Sequence, residues 1–379
     1  MANHLKVVAF VSAAMLVAPG AATAACYWSV SPSTNMGPGD NNLNGVAAIA
    51  DNDVWAVGYA SNGVANRTLI EHWDGTSWTI VPSPNANNSD NFLSKIAAVS
   101  SRDLWAVGYY SSGAARLTLI EHWNGVRWKI IPSPDPGNTF NYLSSIAAIS
   151  ARDIWAVGHF NNGSLNQTLS EHWNGNSWTV VASANVNGFS DYFASVAAIS
   201  STDVWAVGNY NGNVDQTLIE HWDGAGWTIV PSANAGSGSN DLSSVAASSP
   251  KNVWAAGHYY NGSTPSTLTE RWDGVKWTVE PSPNLSIYEN YLYGAISITA
   301  HDAWVVGFDE SNSFSLVTLT EHWNGARWTV VPSPDRPGIG SVLLAVGFVS
   351  ATSIYSVGFY VDDAGIAHTL ALRYHCLPQ

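Results

Sequence analysis

Residues 93–135 read LSKIAAVSSRDLWAVGYYSSGAARLTLIEHWNGVRWKIIPSPD. The stretch divides into four short strand patterns, each bounded by turn chemistry. Small and apolar residues run from Ile96 to Ser100, followed by Leu104 to Tyr109, Leu117 to Trp123 and Trp128 to Ile131. Asn124-Gly125 joins the last two, and that dipeptide is a strong tight-turn signal between neighbouring strands.

The pattern recurs outward in both directions. All 19 tryptophans fall into three columns of it. Trp105, Trp123 and Trp128 stand for those columns here, and Trp28 belongs to the third. Asp53, Asp103, Asp153 and Asp203, then Asn252, Asp302 and Ser353, mark seven second strands spaced by 50, 50, 50, 49, 50 and 51 residues. A register of that length, repeated this often, builds one packed unit many times over. The last unit stops at Tyr374-His375-Cys376, after its third strand, and the fourth strand it lacks stands at the other end as Trp28 to Ser33.

These features specify an all-β fold over residues 26–379: a seven-bladed β-propeller with four antiparallel strands per blade. Its ring is closed by the N-terminal strand, which completes the last blade. Ala97-Ala98 and its counterparts suit a crowded axis, so the first strand is expected innermost. Pro82, Pro132 and their counterparts suit an exposed edge, so the fourth is expected outermost. Cys26 and Cys376 fall at neighbouring positions of the turn that the chain break removes, which predicts a disulfide in its place.

Lys6, the apolar run from Val7 to Ala18 and the small-residue pattern Ala22-Thr23-Ala24 predict an export signal over residues 1–25, hence a secreted or periplasmic protein. No other apolar run approaches a membrane span. The 14 Lys and Arg against 28 Asp and Glu give a formal charge of −14, with the cations scattered. That balance argues against nucleic acid or an anionic membrane as partner, since both need a basic footprint. A monomer is expected.

Ala106-Val107-Gly108 after the second strand, and Glu121-His122-Trp123-Asn124-Gly125 with Trp128 five residues after Trp123, resemble Kelch-type propellers, the architecture also found in the central domain of galactose oxidases. The resemblance covers residues 26–379 and implies the fold. It departs where the Kelch type carries a double glycine and this chain has Gly108-Tyr109 or Gly158-His159. The copper site of galactose oxidase needs a Cys-linked Tyr, which has no counterpart here if both cysteines close the ring.

A property repeated in every blade reads as scaffold. Glu121-His122 and its counterparts cannot form a facing acid–base dyad, because adjacent strand residues point to opposite faces, and pairing between blades is expected instead. The tryptophans read as core packing. The linkers from a fourth strand to the next first strand vary more. With the loops after the second strands, they are expected to gather Asn41, Asn91, Phe92, Asn141, Tyr142, Asp191, Tyr192, Asn240, Asn290 and Tyr291 around the channel mouth.

Amides and carboxylates for hydroxyls, with rings for apolar faces, make a carbohydrate-binding rim. The alternative is that each Asn or Asp caps a turn and each ring covers a blade edge. The binding reading predicts that changing Asn91, Tyr142 or Tyr291 removes binding and leaves stability nearly intact. An extracellular carbohydrate, or else a protein, is the expected ligand, with no cofactor and no metal.

Two further readings stand beside it. One is an enzyme using His159, His258, Tyr59 and Tyr109, which follow the glycine of their second strands and would converge in the funnel. The other is a structural or protein-interaction scaffold. Asp309, Glu310, Asp362, Asp363 and His368 are expected in loops.

Overall fold

The computed structural model describes residues 25–311 and 315–376. Apart from Ala25, the expected export signal lies outside the described residues. Every regular element described is a strand. Blade 2 shows the unit: an inner strand Asn91–Ser100, then Asp103–Ser112, Ala115–Trp123 and a short outer strand Trp128–Ile130, all antiparallel and in that order. Five such four-stranded sheets stand alone, and an eight-stranded sheet is two more sets joined at the single pair Leu316↔Gly340. Among the described residues the blades therefore number seven.

The seventh blade is assembled from both chain ends. Cys26–Val30 lies along Ala367–Cys376 with Trp28 opposite Tyr374, the register that Trp78 and Trp73 adopt in blade 1. A Cys26–Cys376 disulfide, joining positions 350 apart in sequence, takes the place of the turn. Seven apolar clusters fill the joints between consecutive blades. One of them packs Leu43, Val54 and Ala56 of blade 1 against Ala345, Tyr355 and Val357 of blade 7, which closes the ring.

The repeated sequence columns have local causes. A Cβ on Gly108 would lie 2.0 Å from the Phe92 carbonyl oxygen, so the glycine of the AVG triplet is required by the close approach of the inner strand. At that point a bulge between Leu93 and Lys95 shifts the register. Gly125 has φ +86°, as the tight turn after Asn124 demands. The Ser-x-Asn or Ser-x-Asp run after each outer strand is a clamp. Asn85 Oδ1 accepts the Thr68 N–H at 3.1 Å, and Ser83 and Thr68 share a hydroxyl bond at 2.7 Å. Asn35 and Asp135 accept the Thr369 and Thr118 N–H groups in the same way.

Several expectations are corrected. The inner strand begins at Asn91 rather than Ile96, so Asn91 and Phe92 belong to the sheet, with Phe92 opposite Tyr109. Asp309 and Glu310 close a strand, Asp302–Glu310, and His368 lies on Ala367–Cys376. The alanine pair does not line the narrow channel: Ala97 and Ala98 pack into the apolar joints on either side of their blade.

The Glu and His columns do not pair with each other between blades. His122 Nε2 meets Asp103 Oδ1 of its own blade at 2.8 Å, and the Trp105 indole N–H donates to the same oxygen at 2.9 Å. Glu220 turns to the linker entering its blade, where Oε2 accepts the Ala184 N–H at 2.9 Å.

Candidate functional site

Strand order divides the disc into two faces. Tight turns form one. The linkers and the loops between second and third strands form the other, and there the expected rim residues fall into two classes.

Asn41, Asn91, Asn141, Asp191, Asn240 and Asn290 are buried. Their side chains are engaged within the linkers: Asn91 Oδ1 accepts the Ala86 N–H at 2.8 Å while its amide donates to the Ser89 carbonyl at 2.6 Å. Asn141 and Asn290 make the same closure on Gly137 and Ser286, and Asp191 accepts the Val186 N–H at 3.1 Å. The column holds the linkers in shape rather than facing solvent. A change at Asn91 therefore strikes the loop itself, contrary to the expectation of untouched stability.

The rings behave differently. Phe92, Tyr142, Tyr192 and Tyr291 lie opposite Tyr109, His159, Asn209 and Phe308 on their second strands. Two columns treated separately in the sequence are thus one cross-strand layer. Within it runs an unbroken row of half-buried rings: Tyr59 on Phe92 at 4.8 Å, Phe92 on Tyr109 at 4.9 Å, Tyr109 on Tyr142 at 4.5 Å, Tyr142 on His159 at 4.7 Å and His159 on Tyr192 at 4.9 Å. The row crosses blades 1 to 4 and ends where Asn209 and Asp241 replace rings. A shorter set, His258, Tyr291, Phe308 and Tyr293, resumes in blades 5 and 6.

One residue that the sequence reading passed over completes the row. Arg116 is exposed at the start of a third strand, where blades 1, 3 and 4 have Asn66, Asn166 and Asp215. Its backbone is tied to the Thr139 carbonyl at 2.8 Å, and its guanidinium lies 5.4 Å from the Tyr142 ring centre and 5.7 Å from those of Tyr109 and Phe140. It also donates to the Tyr142 hydroxyl. A flat cation held over three rings contributes both hydrogen-bond donors and stacking surface. The available signal was that Arg116 and Phe140 both depart from the repeat.

Burial shapes the electrostatics of this layer. It holds the His159 and His258 imidazoles down to about 4, so both are neutral at pH 7. It raises the Tyr59 and Tyr109 hydroxyls above their ordinary value of 10, with Asp40 adding to the effect at Tyr59. Burial and then Asp215 raise Asp241 to about 6, and His258 lies 3.5 Å from it.

The four funnel candidates do not converge as one group. Tyr59, Tyr109 and His159 are members of the row, whereas His258 stacks on Tyr291 at 4.5 Å in the other set. Among the described residues no three or more His, Cys, Asp or Glu side chains are grouped to hold a metal ion.

A cavity of about 590 Å³ on the turn face, between blades 1 and 2, is lined by Asp53, Trp55, His72, Arg102 and Trp123. Its size does not make it the better site. Asp53 already accepts from Trp55 and bonds His72, and the same set recurs in blades 2 and 4 as scaffold.

The class this structure defines is a closed β-propeller repeat protein with an aromatic row across its linker face. Solved structures of similar build include YCF48 bound to D1 peptide, at a TM-score of 0.57 and 15% identity over 92% of this chain and 96% of that one. A protein of unknown function from Dyadobacter fermentans gives 0.56 at 10% identity over 93% and 98%. A polysaccharide lyase of family PL25, an ulvan lyase bound to a GlcA–Rha3S saccharide, gives 0.54 at 9% identity over 88% and 94%. At these identities the likeness is one of fold. No family model matches the chain, and no curated protein matches it. No helix among the described residues is long and apolar enough to cross a membrane.

Proposed function

We propose that this is an exported, Kelch-like propeller that binds an extracellular carbohydrate along the row from Tyr59 to Tyr192, with Arg116 as its polar anchor. The carrying observation is the row itself: rings in sequential contact across four blades, half-buried, with an exposed guanidinium over Tyr109 and Tyr142 at its middle. Sugar rings present C–H faces that suit aromatic surfaces, and hydroxyls or a carboxylate that suit Arg. The disulfide suits an oxidising compartment, which supports export. Fold alone selects no ligand, so the reading rests on the site.

A glycan array on the disulfide-intact protein, with and without EDTA, tests it. Saturable binding to one sugar class is expected. Tyr142→Ala and Arg116→Ala are each expected to weaken that binding about tenfold or more, equivalent to about 1.4 kcal/mol, while the protein stays folded. A blank array, or binding unchanged in both variants, would sink the proposal and leave a protein ligand or the scaffold reading in its place.

A further inference from the structure

The channel at the centre of the disc is walled by one residue from each inner strand, just past the bulge: Gly45, Lys95, Ser145, Ser195, Ser244, Gly294 and Ala345. Six of these are small or hydroxylic, and one is a lysine. Lys95 and the three serines line a single cavity of about 110 Å³, otherwise bounded by Ile, Val, Ala and Gly. That is room for a small anion with a water or two, since a cavity needs roughly 10–15 Å³ to hold one water.

The chemistry of the wall is one-sided. Lys95 is the only titratable residue lining the cavity, and its ammonium has no hydrogen bond or ion pair among the described residues. Burial holds it down to about 8, with no charged neighbour contributing. The serines are placed to donate. Ser145 Oγ accepts the Val196 N–H at 3.3 Å, Ser195 Oγ the Val245 N–H at 3.2 Å, and Ser244 Oγ the Ala295 N–H at 3.0 Å. Each hydroxyl is thus engaged as an acceptor and keeps its own proton to give. A lone cation and three hydroxyl donors around a narrow cavity without a carboxylate form an anion cradle, and hydrogen bonds from such groups to an anion are charge-assisted.

We propose that the channel binds one small monovalent anion, a halide or a carboxylate, between the Lys95 ammonium and the hydroxyls of Ser145, Ser195 and Ser244. The site is separate from the aromatic row and does not depend on carbohydrate binding. The anion offsets the cost of enclosing a single positive charge at the axis.

Bromide and formate, each exchanged for gluconate at constant ionic strength, test the proposal, gluconate being too bulky for the cavity. At pH 7 a saturable rise in melting temperature is expected with one or both ions: bromide alone identifies an inorganic ion, and a formate response a carboxylate. Lys95→Met is expected to weaken the response about tenfold or more, and raising the pH well past 8 to abolish it in the unaltered protein. Should Lys95→Met fail to fold, Ser195→Ala together with anomalous scattering from bromide-soaked crystals decides: a bromide peak in the channel that weakens in the variant supports the site. The proposal is overturned if neither ion gives a saturable response, if Lys95→Met responds like the unaltered protein, or if crystals place bromide only outside the channel.

Discussion

Three glutamates of the third-strand column hold a carboxyl with no partner, and the cause is a proline. Glu71, Glu220 and Glu270 each accept a backbone N–H, from Thr34, Ala184 and Ala233. At the same linker position before blades 2, 3 and 6 stand Pro84, Pro134 and Pro283, which have no N–H, and Glu121, Glu171 and Glu321 are left with both oxygens unpaired. Before blade 7 the linker again has proline, Pro334, and the facing third-strand residue is Leu372 instead of glutamate. Burial pushes Glu321 from 4.5 to about 8. The folded chain keeps a proton that the unfolded chain releases, so this contribution to stability is complete below about pH 4.5 and is lost as the pH rises through about 8. Within that window one such group lowers stability by about 1.4 kcal/mol per pH unit. Urea unfolding of Glu321→Gln at several pH values is expected to show a shallower decline than the unaltered chain; an equal slope would show that Glu321 ionises freely in the fold. The column was legible in the sequence, but its partner was not, because a contact to the entering linker leaves no trace in local periodicity.

At the scale of the element, the blade is held by side chains that fasten one strand to the next. Asp103 is the hub of blade 2, accepting from Trp105 and bonding His122, which also stacks on Trp105 with ring centres 4.1 Å apart. Blade 5 keeps the function with other residues, Arg271 Nε donating to Asn252 Oδ1 at 3.1 Å. Asp103→Ala leaves two donors without their acceptor. It is expected to cost about 1–3 kcal/mol in denaturant unfolding, towards the lower end because the pair is partly solvated. A loss below the error of the measurement would show that the hub is ornamental. Strand identity, the Asn124-Gly125 turn and the exposed outer edge could all be read from the chain. The start of the inner strand could not: the bulge after Leu93 breaks the alternation and hides Asn91 and Phe92 in apparent loop sequence. For the same reason the column containing Lys95, one residue past the bulge, does not stand out in the chain as the channel wall.

The whole molecule depends on joining its two ends, and this was legible because the missing outer strand of blade 7 and both cysteines fall in register. In the chain-entropy account, a cross-link closing a loop of 350 residues stabilises by on the order of 5 kcal/mol. Cys376→Ser is expected to lower the unfolding midpoint in denaturant accordingly, and an unchanged midpoint would mean that strand pairing alone seals the ring. The binding face was legible only in part. The sequence marked the loop-rich face and its rings, but the amide column proved to be linker scaffold, and the continuity of the row depends on contacts between blades. Which face takes the ligand is the central question, and hydrogen–deuterium exchange with and without the best saccharide from the array answers it most directly. Slowed exchange in residues 111–116 and 136–142, around Arg116 and Tyr142, with the tight turns unaffected, is the result this structure predicts. Protection confined to the opposite face, around Asp53, His72 and Arg102, would contradict it.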